Sequence, residues 1–209
     1  MRLLMLLLVL PSLLRAEGER AGNFEYYVMA LSWSPNWCAT QGVGRDSPQC
    51  ATDAGFGWVL HGLWPQYDTG WPSYCHTPQR DPSRAQTSAM ADIMGDAGAA
   101  WYQWKKHGRC AGLTAQDYFA TARRAFDSIT RPPVFQKLDR TVKLPAIVVE
   151  QAFLQDNPAL TPDMITVTCA EGRIQEARIC LSKSLAPRPC GRDVMRDCRM
   201  TDALLAPVR

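Results

Sequence analysis

The pattern of apolar and polar positions along the chain predicts short strands and short helices in mixed order. Four segments are rich in aromatic and β-branched residues, which favour strands; they are residues 23–33, 57–61, 164–169 and 174–181. We expect the first to be a central strand ending at the turn Ser34-Pro35-Asn36, with residues 57–61 as its hairpin partner. A turn limited by Gly62 and Pro65 should follow. The last two predict a hairpin around Glu171-Gly172.

Four other segments have the pattern of helices; they are residues 83–94, 101–110, 114–129 and 144–156. Ser83 and Thr114 stand where an N-terminal cap is expected. Glycines at 95 and 98 interrupt the chain between the first two helices. This mixture predicts an α+β fold, in which helices pack on one central antiparallel sheet.

The first 16 residues have the pattern of a signal peptide. Met1-Arg2 gives a short charged start, residues 3–14 are an apolar run, and Ala16 is a small residue at the expected cleavage site. The run is too short for a comfortable membrane span. The alternative is a core helix, but nothing polar alternates within the run. We therefore expect an exported protein, periplasmic or extracellular, with one mature domain at residues 17–209.

Composition limits the functional classes. The formal charge is +3, and it falls to +1 when Arg2 and Arg15 are removed with the leader. The net charge by itself therefore does not indicate nucleic-acid binding. Eight cysteines in an exported chain imply disulfides, although eight allow about 105 pairings. Cys75-His76 is the only adjacent Cys–His pair and Cys-x-x-Cys is absent, which argues against zinc.

Two of the three histidines lie in clusters framed by tryptophan and glycine. His61 ends the strand that begins at Gly57. His107 lies in the helical segment 101–110, where Gln103 stands four residues before His107 and three before Lys106, so that the three share one face. An imidazole beside a cation and an amide suits acid–base work on an anion. The alternative is an ordinary amphipathic helix with its polar face in water.

The two clusters together resemble the T2 family of secreted acid ribonucleases. His61-Gly62-Leu63-Trp64-Pro65 is similar to the first active-site segment of that family. The segment from Trp104 to Cys110 is similar to the second, which usually reads Trp-x-Lys-His-Gly-Thr-Cys. The resemblance extends over nearly the whole mature chain. It implies a disulfide-stabilised α+β catalytic domain that cleaves RNA.

The resemblance also implies the roles of the site residues. RNA cleavage without a metal uses the 2′-hydroxyl as nucleophile, so one group takes its proton and another protonates the leaving 5′-oxygen. By resemblance, His107 is the base, His61 the acid and Lys106 the cation that stabilises the phosphorane. The product is a 2′,3′-cyclic phosphate that water opens to a 3′-phosphate. No cofactor or metal is expected, and the sequence offers no carboxylate cluster to hold one.

Candidates for RNA binding follow the first segment. In the family the residues after it help to hold a base, which makes Trp64, Gln66 and Tyr67 candidates here. Trp71 and Tyr74 either stack on bases or cover the core, and a buried tryptophan such as Trp64 is also core material. The resemblance further implies the disulfides Cys75–Cys110, Cys169–Cys198 and Cys180–Cys190. Cys38 and Cys50 are the two cysteines that remain, so they would form the fourth.

The second segment departs from the family in three places. Gln103 stands where a catalytic Glu is usual, and its amide donates a hydrogen bond but cannot share a proton. Tyr102 stands where a phosphate-binding His is frequent, and its phenol can donate the same bond. Arg109 replaces a small Thr. Losing a carboxylate and gaining a cation beside His107 both disfavour its charged form, from which we expect a less acidic pH preference than the family name suggests.

Three functions remain open from sequence. The first is an exported endoribonuclease acting on single-stranded RNA, as a monomer without metal and without membrane attachment in its mature form. The second is a catalytically impaired RNA- or partner-binding protein of the same fold. The third is a disulfide-rich structural or inhibitory domain with incidental histidines. Intact His61, Lys106 and His107 favour the first.

Overall fold

A six-stranded sheet is the centre of the protein, in a computed structural model that describes residues 19–42 and 44–208. The predicted leader lies outside the described residues. The strands are β1 (Tyr26–Trp33), β2 (Trp58–Gln66), β3 (Val142–Leu144), β4 (Ile165–Ala170), β5 (Arg173–Leu181) and β6 (Ala203–Leu205). Their order is β2-β1-β5-β6-β3, with β4 paired to β5. All pairs are antiparallel except the short contact of β5 with β6. The fold is α+β, as the sequence predicts.

The helices in the described residues are α1 (Ser34–Thr40), α2 (Arg84–Ser88), α3 (Ala91–Met94), α4 (Ala97–Lys106), α5 (Ala115–Asp127) and α6 (Ala146–Asp156). The predicted helix 83–94 is divided into α2, capped by Ser83, and α3. Thr114 caps α5 as predicted. The predicted turn at residues 34–36 is wrong, because α1 begins there with Pro35 in its first turn, where proline loses no helical hydrogen bond.

The two faces of β1 pack in different environments. Met29 and Leu31 belong to the main core, together with aromatic side chains of α5 such as Tyr118. Burying each such apolar side chain contributes about 2 kcal/mol. Tyr26 and Val28 belong to a second, smaller cluster that Trp64 packs against. The candidate site is built on this second face.

Strand β2 carries a bulge at the first histidine. Ala30 pairs with Gly62 and the next residue, Leu31, pairs with Leu60, so His61 has no partner on β1. The predicted turn after His61 is wrong, since β2 continues to Gln66. Pro65 is tolerated because β2 is an edge strand of the sheet.

The predicted hairpin of β4 and β5 is confirmed. Glu171 and Gly172 both have positive φ, 51° and 74°, as a two-residue hairpin turn of this type requires. The hairpin brings Glu176 opposite Ser32 and Arg178 opposite Ala30 of β1. Two charged side chains of β5 thereby reach the second face of β1.

Four disulfides join the described elements, and they are the pairs that the resemblance implies: Cys38–Cys50, Cys75–Cys110, Cys169–Cys198 and Cys180–Cys190. Cys75–Cys110 ties the loop after β2 to the 3₁₀ turn Gly108–Ala111 that follows α4. Over residues 19–42 and 44–208, each helix is too short or too polar to cross a membrane.

Candidate active site

His61 lies at the bulge of β2, where the local backbone turns its side chain away from the regular ladder. Its Nδ1–H donates to Glu176 Oε1 at 2.5 Å. The imidazole is 42% exposed, whereas the Glu176 side chain is only 2% exposed. His61 thus has one ring edge fixed by a buried carboxylate and the other side open to solvent.

Glu176 is held from a second side by Arg178. The Arg178 Nε and Nη2 groups donate to Glu176 Oε2 at 2.8 and 2.7 Å. Burial alone would raise the pKa of Glu176, but the hydrogen bonds and charges of His61 and Arg178 outweigh it and lower the pKa to about 2. Glu176 is therefore a carboxylate throughout the ordinary pH range.

His107 is at the junction between α4 and the following 3₁₀ turn, one residue beyond the last residue of α4, so the predicted helix 101–110 ends earlier than expected. Its backbone N–H still donates to Gln103 O at 2.9 Å. The imidazole stacks on Trp64, with ring centroids 5.2 Å apart. It is 5% exposed, and its Nδ1 has no hydrogen-bond partner among the described residues.

Burial lowers the pKa of His107 to about 3, and the charges of Lys106 and His61 act in the same direction. His107 is therefore neutral in mildly acidic and neutral solution. The direction agrees with the expectation from sequence that the charged form of His107 is disfavoured, and the pH preference of the protein stays a prediction. Arg109, moreover, is paired with Asp81 through Nη2 at 2.6 and 2.9 Å.

Trp64 and Gln103 lie between the two histidines. The Trp64 Nε1–H donates to Gln103 Oε1 at 2.8 Å, which leaves the Gln103 amide nitrogen without a hydrogen bond in the part of the chain that the structure describes. A Cβ on Gly62 would overlap both of these atoms. Glycine at 62 is therefore needed for Trp64 to reach Gln103.

The aromatic side chains that surround the segment Trp104–Cys110 hold its backbone in place. A Cβ on Gly108 would come within 2.7 Å of Trp104 and 2.8 Å of Tyr118. Trp104 is fully buried, and its Nε1–H donates to Asp81 at 2.8 Å. The Tyr118 hydroxyl donates to Leu63 O at 2.9 Å. These contacts fix the end of α4 against β2 and hence His107 near His61.

An open cleft of about 420 Å³ lies beside His61, and His107 is not among the residues that line it. His61, Glu176, Gln103 and Tyr102 line it together. Farther along, its lining includes Arg45 and Arg173, which make no ion pair within the described ranges. The cleft can thus accommodate an extended anionic ligand beside His61 and its carboxylate partner.

A sequence profile of the Ribonuclease T2 family matches residues 24–190. The chain belongs to the ribonuclease T2 family. It is 45% identical over 111 residues to a ribonuclease of Aeromonas hydrophila, covering 53% of this chain and 48% of that protein. It is 34% identical over 128 residues to a probable ribonuclease of Haemophilus influenzae, covering 56% and 46%. The chain thus spans about half the length of these curated relatives.

The fold is also that of solved structures of this kind. The RNase-related protein from Calystegia sepium superposes with a TM-score of 0.67 at 19% identity, over 88% of this chain and 97% of that one. At this identity the likeness concerns the fold alone.

The structure of this T2-family chain brings some of the sequence candidates together and separates others. Lys106 is half-buried next to His107, with its Nζ 5.9 Å from the Tyr102 ring centroid. Tyr102 is 50% exposed at the rim. Gln66 is 4% exposed at the end of β2 and does not line the cleft; Tyr67 packs half-buried against the main core. Neither position favours a direct role in base binding.

Sequence reasoning missed Glu176 and Arg178, which it treated only as part of a strand. One signal was present, because a carboxylate in the middle of a central strand such as β5 needs a partner when it is buried. The identity of that partner depended on pairing across the sheet. No group of His, Cys, Asp and Glu side chains suited to a metal ion occurs within the described residues.

Proposed function

We propose that the chain is an exported endoribonuclease that cleaves single-stranded RNA by metal-free transphosphorylation, as a monomer. Its products would be 2′,3′-cyclic phosphate ends, which water then opens to 3′-phosphates. The observation that carries the proposal is the pair of histidines on either side of Trp64, one buried and neutral, the other paired with a carboxylate. Two titratable groups held in opposite environments are typical of an acid and base pair.

The environments favour the roles that the family resemblance implies. His107 is neutral, so it is ready to accept the proton of the 2′-hydroxyl as that oxygen attacks phosphorus. His61, facing the Glu176 carboxylate, is suited to carry a proton and give it to the leaving 5′-oxygen. Water opening the cyclic phosphate would use the same pair with the roles exchanged.

The charge that develops on the phosphorane needs donors. Lys106 supplies an ammonium next to His107, and the Gln103 amide nitrogen has no hydrogen bond to another described group. Donors of this kind stabilise an oxyanion most when they are fixed beforehand, and the Gln103 side chain is fixed by Trp64. Gln103 therefore acts as a neutral donor in place of the usual carboxyl.

Exposed aromatic side chains would hold the bases of a single strand. Trp71, Tyr74 and Tyr102 are 54%, 53% and 50% exposed, and the Tyr74 backbone N–H donates to Lys106 O at 2.8 Å, which brings the loop to the catalytic segment. Unpaired bases stack on such side chains with little sequence preference. Trp64 is half-buried between both histidines, which favours orienting them over holding a base alone.

The test uses purified, oxidised protein, a short RNA of defined sequence and excess EDTA, over a pH series with products resolved by mass. We expect a cyclic-phosphate product that is lost in His61→Ala and in His107→Ala. His76→Ala is the matched control, because His76 is exposed on a loop, and it should cleave normally. A folded protein that leaves RNA intact at every pH, yet binds it, would favour the impaired binding protein instead.

A further inference from the structure

We propose that Glu176, clamped by Arg178, is a positioning residue that holds the His61 imidazole in the orientation of the general acid. This inference rests on the proposed function and deepens it, since it assigns a role to two side chains outside both recognised segments. Glu176 is distant from His61 in sequence, by 115 positions, and meets it through the pairing of β1 with β5.

The first reason is that the backbone does not determine where His61 points. His61 is the surplus residue of the bulge and lacks a partner on β1, and its side chain is 42% exposed. The hydrogen bond from Nδ1 to Glu176 is the one side-chain hydrogen bond that His61 makes within the described residues. Without it, the imidazole would retain only its edge-on contact with Trp64, so other staggered rotamers would compete with the observed one.

The second reason is chemical. A carboxylate that accepts from Nδ1–H fixes the tautomer, so that Nε2 is the nitrogen available to the substrate, and it stabilises the imidazolium that an acid must be at the start of the reaction. Glu176 is ionised because its pKa is lowered to about 2 despite burial. A neutral amide at this position retains the shape of the side chain but not its charge.

The third reason is the support that Glu176 itself receives. A buried carboxylate is costly unless both oxygens are satisfied, and the Arg178 guanidinium binds the oxygen that His61 does not use. The same guanidinium lies 5.4 Å from the Trp64 ring centroid, and Trp64 stacks on His107. Arg178 thus contacts both Glu176, which binds His61, and Trp64, which stacks on His107.

The rival explanation is that the pair only stabilises the sheet. Two substrates separate these explanations. A dinucleoside monophosphate has a poor alkoxide leaving group that needs a proton, whereas a nucleoside 3′-(4-nitrophenyl phosphate) has a leaving group that departs without one. Loss of the acid or of its positioning slows cleavage of the dinucleoside monophosphate only. Loss of the fold or of the base slows cleavage of both substrates.

The experiment measures kcat and KM of Glu176→Gln on both substrates over a pH series. We expect kcat for the dinucleotide to fall about 10- to 100-fold with little change in KM, and kcat for the nitrophenyl ester to change by less than about threefold. Glu150→Gln is the matched control, a buried glutamate of α6 that does not line the cleft, and both its activities should match wild type.

Two results would overturn the inference: equal losses on both substrates, or wild-type kcat on the dinucleotide. Should Glu176→Gln fail to fold by near-UV circular dichroism, Arg178→Met decides by the same comparison. A loss confined to the dinucleotide supports the inference, and an unselective loss or none refutes it. His61→Ala tests the proposed function separately, because full activity of that variant on the dinucleotide would reject His61 as the acid whatever Glu176 does.

Discussion

Burial of His107, the proposed base, should make the folded protein less stable in acid, and replacing this residue with glutamine should remove that effect. Burial, with the charges of Lys106 and His61, lowers the pKa of His107 to about 3, whereas the unfolded chain has the ordinary value of about 6.5. Between these values the unfolded chain binds a proton that the folded chain does not. Folding stability contributed by this group is therefore present above pH 6.5 and is lost as the pH falls toward 3.

The magnitude follows from the size of the shift. Each pH unit below about 6.5 removes about 1.4 kcal/mol from the free energy of unfolding, so this one side chain costs about 2 kcal/mol at pH 5. Glutamine is of similar size and does not titrate. The stacking on Trp64 that the substitution removes is lost at pH 7 and pH 5 alike, so comparing the two pH values isolates the titration.

The assay is urea unfolding of the oxidised protein at pH 7 and pH 5, followed by circular dichroism. Between these conditions the wild type should lose about 2 kcal/mol more than His107→Gln. His76→Gln, which removes an exposed histidine, should retain the wild-type pH dependence. Equal losses in the wild type and His107→Gln would refute the conclusion that burial keeps this imidazole neutral.

Three further predictions concern activity. In kcat/KM against pH for a dinucleoside monophosphate, the acidic limb should lie near pH 3, because the pKa of His107 is about 3; a limb near pH 6 would indicate a base with ordinary titration. Gly62→Ala should cost at least tenfold in kcat and about 1–3 kcal/mol in urea unfolding, because its Cβ overlaps the Trp64–Gln103 hydrogen bond; normal kcat would show that this contact is dispensable. Arg45→Ala combined with Arg173→Ala should raise KM for a long RNA and reduce its salt dependence while leaving the dinucleotide unaffected; equal effects on both substrates would place these arginines at the scissile phosphate.

Local patterns in the sequence predicted much of the fold. Aromatic and β-branched runs gave β1 and β5, the Glu171-Gly172 pair gave the hairpin turn, and Thr114 gave the start of α5. Strands β3 and β6 were not predicted, because three residues are too few for any periodicity and their pairing is set by the rest of the sheet.

The candidate site was predicted as far as its residues are neighbours in the chain. Gln103, Lys106 and His107 lie within one turn of helix, so spacing alone was enough to group them. The partner of His61 was not predictable from spacing, because Glu176 reaches it across β1. The predicted turn between Gly62 and Pro65 was wrong for a related reason: the continuation of β2 past Pro65 depends on its position at the sheet edge, which no local pattern reveals.

The bulge at His61 also separates two requirements that usually fall on the same residue of a strand: pairing with the neighbouring strand and supplying a functional side chain. Because the ladder passes from Gly62 to Leu60 without using His61, this position contributes chemistry but no pairing. Substitution of His61 removes the proposed proton donor and leaves every backbone partner of β1 in register. The architecture can therefore persist in descendants that have abandoned the reaction, and a preserved scaffold by itself is no guarantee of turnover.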